Sequence, residues 1–177
     1  MNILHSIMNI SYIDGLMRVY PLLLIFFSSL LYFINNSPIN KLFMIFSLSN
    51  TLVNKFLKNV IFKPIMKDNN HPIVGLGKRP NGAKNCGIFK NGKKSTTYGM
   101  PSGHSQHAMA FPTFILLNKL TDNFGIILFL YLIGFAVMAS RVIFKCHTTQ
   151  QALAGGFVGI LYAYLFTINK TIIQSYL

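Results

Sequence analysis

Acidic side chains are nearly missing from this 177-residue chain: Asp14, Asp68 and Asp122 are the only three, and there is no glutamate. Chemistry that needs several carboxylates is excluded by that count. Carboxylate-bridged metal centres, paired-carboxylate glycoside hydrolysis and Ca²⁺ loops all require acids the chain does not have. Charged residues of both signs make up 11% of the sequence, well under the roughly 25% of an ordinary soluble domain. Cysteine is scarce too. Cys86 and Cys146 form no Cys-x-x-Cys pair, give no disulfide framework and leave the redox compartment open. For Cys146 a buried structural role is expected in preference to a reactive thiol.

Apolar residues are abundant, at 52% of the chain, and they fall in long runs. The expected fold is an all-α, polytopic membrane helical bundle in one domain over 1–177, with about five spans at 20–34, 41–62, 104–120, 124–144 and 148–168. No small-residue cleavage site follows the first run, only Asn35-Asn36-Ser37-Pro38, so it reads as a retained span rather than a signal peptide. The second is interrupted by Asn50, Asn54, Lys55 and Lys58. Polar groups in a span face the bundle interior or a watery cavity, whereas a lysine near its end can snorkel, the reading adopted for Lys55. Pro112 predicts a kink in the third span. Gly155, Gly156 and Gly159 in the fifth suit close helix packing.

Between the second and third spans lies a connection over 63–103, rich in glycine and lysine. A loop of that length in a compact protein is functional, disordered or misassigned, and its composition favours a lid or an anion-collecting rim. Five spans place the N-terminus, this loop and the Arg141–His147 corner on one membrane face. All of the 16 Lys and Arg except Lys41, Lys119 and Lys170 lie on or near it. A positive-inside count would put that face in the cytosol, but charges that bind phosphate do not report topology, so orientation stays open. The net charge of +13 fits anionic headgroups or a phosphorylated substrate, and no nucleic-acid module accompanies it.

One stretch carries the most chemistry: Tyr98-Gly99-Met100-Pro101-Ser102-Gly103-His104-Ser105-Gln106. Pro101 fixes φ, Ser102 can cap, and Gly103 permits close approach, so His104 stands at the opening of a helix whose free amides form an anion site. Three segments then converge on one face, carrying Lys58 and Arg79-Pro80, then Ser102-Gly103-His104, then Ser140-Arg141 and His147. Arginine forks, a lysine, helix-start amides and two histidines are sufficient parts for phosphoryl transfer without a metal or other cofactor. A zinc site of His104, His107 and His147 has the ligand number but would sit among repelling arginines. Ser102 as an acyl-transfer nucleophile lacks an acid to orient its histidine. His5 and His71 read as surface residues.

These segments resemble the motifs of the type-2 phosphatidic acid phosphatase superfamily, which includes membrane lipid phosphatases and soluble vanadium haloperoxidases. Its patterns are Lys-x6-Arg-Pro, Pro-Ser-Gly-His and Ser-Arg-x5-His-x3-Asp. Pro101 to His104 match the second, and Ser140-Arg141 with His147 match the third. The dolichyl-diphosphatase branch looks most similar, through Tyr98 to Gln106 and through His147-Thr148-Thr149-Gln150-Gln151. The resemblance covers roughly 50–160 and implies a core like that of these phosphatases and haloperoxidases. It also implies His147 as nucleophile, His104 as general acid, and Arg141, Arg79 and a lysine on the phosphate, with Ser102 and the Gly103 amide completing the cradle. Two positions depart from the pattern. Pro72 stands seven residues before Arg79, so the first motif holds an insertion; Lys58 is the expected lysine, with Lys63 as substitute. Gln151 replaces the usual Asp and is expected to orient His147 from one helical turn away. The implied function is hydrolysis of a polyprenyl diphosphate in an internal membrane such as the endoplasmic reticulum. Phosphatidate or sphingoid-phosphate hydrolysis, or silent lipid-phosphate binding, are the rivals.

Overall fold

Each principal helix after the first begins where a side chain takes over amides left free in its opening turn. The computed structural model describes residues 2–67, 69–71, 75–87 and 92–176, and side chains from residue 12 onward except that of 71. The surface placement expected for His5 and His71, and the position of Pro72, therefore lie outside the described residues. Helix α1 spans Asn2–Ile34. Ser37 caps α2 (Pro38–Phe56) by accepting from the Asn40 amide at 3.3 Å, with Pro38 in the first turn. Ser102 caps α4 (Gly103–Leu117) through the Ser105 amide, and Asn123 caps α5 (Phe124–Ile143) through that of Ile126. At α6 (Thr149–Ile168) Thr148 and Gln151 form a reciprocal capping box. A short α7 (Lys170–Ser175) closes the chain.

The chain is mostly helical, and three helices among the described residues are long and apolar enough to cross a membrane: Tyr12–Ile34, Phe124–Ile143 and Thr149–Ile168. The first contains the expected 20–34, and helix α1 runs unbroken through Pro21 on its N-terminal side. Large exposed apolar side chains such as Phe26, Phe129 and Phe157 stud these three helices, a surface that suits hydrocarbon and not water. The other two expected spans differ. Helix α4 has 15 residues, about 22 Å of helix against a hydrocarbon core of about 30 Å. Helix α2 carries its polar residues inward, with Asn50 and Asn54 buried and Lys55 exposed. It then passes into a π-helical segment, Leu57–Phe62, and a short α3, Lys63–Met66. π-Turns insert an extra residue into the helical register and recur at functional sites; this one carries Lys58.

The 63–103 connection is more structured than a plain rim. Besides α3 it holds a two-stranded antiparallel hairpin, β1 (Asn70–His71) and β2 (Gly75–Leu76), paired Asn70 with Leu76 and His71 with Gly75. An isolated bridge joins Lys84 to Lys94. The expectation that the cysteines give no disulfide is corrected: Cys86 and Cys146 are bonded to each other. Sixty residues separate them in sequence, and spacing alone gives no sign that the loop folds back onto the α5–α6 corner.

Helix α6 packs most extensively along α4. Small residues allow it: a Cβ on Gly155 would run into the Ser102 carbonyl, and one on Gly159 into the Gln106 carbonyl. At the other end of the bundle Leu42, Phe43 and Phe46 of α2 meet Ala110 and Phe114 of α4 and Ala163 and Phe166 of α6. The Phe46 and Phe114 rings stack at 4.4 Å. Truncating Phe114, which is fully buried, is expected to destabilise the protein by about 3–5 kcal/mol as Phe114→Ala. Gly159→Val should cost about 1–3 kcal/mol by forcing a backbone shift. Thermal unfolding in detergent measures both, and an unchanged melting temperature for either would refute this account of the packing.

Candidate active site

The middle of α1, the end of α2 with the π-helical segment after it, the start of α4, the long connection and His147 line a cavity of about 1000 Å³. Lys58, Arg79, Gly103, His104 and His147 line it, so five of the expected site residues come together from three separate segments. Lys63, the substitute for Lys58, also lines it. Ser102, Arg141 and Gln151 do not: each is fully buried behind the lining. Ser102 is occupied as a cap, with its oxygen accepting from the Ser105 amide and the Ser105 hydroxyl.

The state of His147 follows from its neighbours. Gln151 Nε2 lies 2.5 Å from the Leu76 carbonyl and 2.6 Å from that of Lys78, so it is the donating end of the amide. Oε1 therefore faces His147 Nδ1 at 3.0 Å and the Thr148 amide at 3.3 Å. It can only accept, which puts the imidazole proton on Nδ1 and leaves the Nε2 lone pair free to act as a base or nucleophile. Arg79 Nη1 donates to that lone pair at 3.0 Å and to the Cys146 carbonyl at 2.8 Å. Burial, then the positive charges of Arg79 and Lys58, hold His147 well below the usual histidine range. At neutral pH the ring is uncharged.

Arg79 is fixed along its whole guanidinium. Nε donates to the Thr97 carbonyl at 3.1 Å, and Nη2 to the Thr97 hydroxyl at 2.9 Å. Burial and the neighbouring Arg141 lower it to about 10, so it still carries its charge at neutral pH. Two buried helices supply a polar frame beneath the site. Gln106 Nε2 donates to the Asn50 side chain at 2.6 Å, and Asn54 Nδ2 donates to Gln106 Oε1 at 2.7 Å. The Asn54 oxygen also occupies the space a side chain on Gly103 would need, which is one reason the turn before His104 has glycine.

His104 Nε2 donates to the main-chain carbonyl of Arg18 at 2.9 Å. Pro21 lies in the same turn of the continuous helix, and because it lacks an N–H it leaves the Met17 carbonyl without its helical donor. His107 is spent on its surroundings, with Nδ1 donating to the Gly103 carbonyl and Nε2 accepting from the Thr51 hydroxyl. With Arg79 and Gln151 already on His147, the three histidines lack free nitrogens converging on one point.

Sequence reasoning missed the contribution of α1. Asp14 pairs with Arg18 one turn along and reaches Arg141 Nη2 at 3.5 Å. The one available signal was the i, i+4 spacing of opposite charges at the edge of an apolar run. Arg141 Nε and Nη1, though fully buried, have no hydrogen-bond partner among the described residues. Buried donors without partners are costly, and these lie beside Asp14, near the cavity's cations. An anion with several acceptor oxygens would satisfy such donors.

A family model for the PAP2 superfamily matches residues 42–172. Searches of the curated proteins and of the solved structures gave no significant match.

Two outcomes test the geometry. Gln151→Glu puts a carboxylate against two carbonyl oxygens and strips both of a donor, so it should lower stability by about 2 kcal/mol or more; a melting temperature at or above that of the parent chain would contradict the assigned amide orientation. Lys58→Met removes one of the charges that depress His147. The acid limb of turnover in the free protein (kcat/KM) should lie below pH 6.5 in the parent chain and move upward in the variant. A limb that stays put would show that Lys58 does not act on His147.

Proposed function

This chain belongs to the PAP2 superfamily, and from that premise we propose that it is a multi-pass membrane phosphatase that hydrolyses a polyprenyl (dolichyl-type) diphosphate through a phosphohistidine. Membership supports a lipid phosphatase type of function, and three apolar helices of spanning length support residence in a membrane. Helices α2 and α4 complete the bundle in this reading and bring the number of embedded helices to five. The observation that carries the mechanism is the Nδ1–H form of His147, whose Nε2 lone pair meets the cationic lining of the cavity.

In the proposed reaction the terminal phosphate displaces Arg79 from His147 Nε2 and takes the guanidinium onto its own oxygens. Nε2 attacks phosphorus, an N–P bond forms, and the P–O bond to the leaving group breaks with its electron pair going to oxygen. His104, which takes up a proton as the phosphate anion binds beside it, gives that oxygen its proton. Water then attacks phosphorus and gives a proton to His104, the N–P bond breaks with its electron pair returning to Nε2, and inorganic phosphate leaves. Gln151 Oε1 holds the ring through Nδ1–H while positive charge builds on it. Arg79, Arg141 and Lys58 neutralise the transferring phosphoryl group, so the protein's contribution is chiefly position and charge. Among the described residues no carboxylate lines the cavity, and Asp14 is engaged by two arginines.

The disulfide supports an orientation. Cys86–Cys146 sits immediately before His147, on the catalytic face, and disulfides persist where the medium is oxidising. The catalytic face is therefore assigned to the lumenal side of an internal membrane such as the endoplasmic reticulum, against the positive-inside count.

Purified protein in detergent should release phosphate from an isoprenyl diphosphate faster than from phosphatidate, and EDTA should leave the rate unchanged. His147→Ala should lower kcat by about 10³-fold or more, in line with loss of a covalent nucleophile. Release from neither lipid would sink the phosphatase reading, loss on chelation would sink the metal-free mechanism, and a fully active His147→Ala would sink the nucleophile assignment.

A further inference from the structure

The segment matched by the family model starts at residue 42, yet α1, which ends at Ile34, forms one wall of the cavity. Arg18, Pro21, Leu22 and Ile25 line it. Their spacing of i, i+3, i+4 and i+7 is one stripe of a helix, with a cation at one end and three apolar residues following it. From Arg18 to Ile25 the stripe advances about 10 Å along the axis, toward the far end of the membrane-length segment Tyr12–Ile34. A wall built this way matches an amphiphile whose charged head lies at Arg18 and whose chain runs deeper.

Arg18 is only 3% exposed. Nη2 pairs with Asp14 and Nη1 donates to the Asn85 carbonyl at 3.1 Å, so the side chain is anchored at two points. Nε has no partner among the described residues. A buried, anchored guanidinium on the wall of a cavity places a fixed positive charge where an anion can meet it. Its place relative to the chemistry is set by the residue itself, because its own carbonyl accepts from His104 Nε2. Arg18 therefore stands beside the acid, on the side where the leaving oxygen departs. In a monophosphate ester that oxygen belongs to an alcohol and carries no lasting charge. In a diphosphate it belongs to a second phosphate, which keeps its negative charge and needs a cation there.

We propose that Arg18 binds the second phosphate of a diphosphate lipid, with Pro21, Leu22 and Ile25 receiving the first part of its chain, so that α1 decides diphosphate over monophosphate. This rests on the phosphatase reading and deepens it. Asp14 serves as a positioning residue, tying Arg18 of α1 to Arg141 of α5 and so to the rest of the cation cluster.

The test uses the full chain in detergent with two lipids of one tail, farnesyl diphosphate and farnesyl phosphate. In the parent chain the ratio of kcat/KM for diphosphate over monophosphate should exceed one, and Arg18→Gln should reduce that ratio at least tenfold. Arg18→Lys, which keeps a point charge but loses the fork, should fold normally and reduce it by a smaller factor. As a check without turnover of lipid, inorganic pyrophosphate should lose inhibitory strength in both variants more than inorganic phosphate does. A parent chain inactive on both lipids overturns the phosphatase reading and this one with it. An active parent chain whose ratio is unchanged in Arg18→Lys, with both rates falling together, overturns the role of Arg18 alone and leaves the phosphatase reading standing.

Discussion

A single buried amide holds the three parts of the site in register. The Gln151 side chain donates to the Leu76 and Lys78 carbonyls just before Arg79, and accepts from His147 and Thr148. Its main-chain carbonyl accepts from the Ser102 amide at 3.0 Å. All of its hydrogen-bonding ends are used, and the residue is wholly buried. Gly99 leaves room for it, since a Cβ there would lie 2.6 Å from Nε2. The arginine loop, the turn before His104 and the His147 corner therefore meet on one side chain. An aspartate could orient His147 but could not donate to the two loop carbonyls. Glutamine at this position is thus a consequence of how closely the hairpin approaches α6.

Around that centre the electrostatics are deliberately unbalanced. Lys58 and Arg79 line the cavity, Arg141 lies close behind, and among the described residues Asp14 is the only carboxylate near them. Mutual repulsion shows in the lowered Arg79, which responds to Arg141 after burial, and in His147, which responds to Arg79 and Lys58. Like charges held together in a partly desolvated space raise the free energy of the empty site. An anion that enters relieves it, and the relief is greatest for the most highly charged anion. The polar frame of Asn50, Asn54 and Gln106 keeps α2 and α4 from spreading apart under that repulsion, because every donor and acceptor in it that points inward is matched within the pair of helices.

How much of this was legible in the sequence varies by the kind of signal. Caps were readable because they are local: Ser37-Pro38, Ser102 and the Thr148 start each announce a helix within four residues. The convergence of Lys58, Arg79, His104 and His147 was readable from motif spacing joined to the alternation of spans. Of the five expected spans, three have helices among the described residues that are long and apolar enough to cross a membrane. Composition cannot distinguish a short helix buried among others, such as α4, from one that crosses by itself. The disulfide and the Asp14–Arg141 contact were not legible. Both join residues 60 or more positions apart, and no periodicity encodes a contact of that kind. The tautomer of His147 also needed coordinates, since it rests on where two loop carbonyls point.

The glycines of α6 set more than packing density. With the Gly155 position against the Ser102 carbonyl and the Gly159 position against that of Gln106, α4 and α6 approach backbone to backbone at these two points, where no side chain can be compressed or change rotamer. His104 rides at the head of one helix and His147 just ahead of the other. The distance between acid and nucleophile is accordingly fixed like the jaws of a set gauge. The opposite wall is tied in as well: α1 meets Arg141 through Asp14 and His104 through the Arg18 carbonyl. A substrate must therefore match a mouth whose two sides are both held in place.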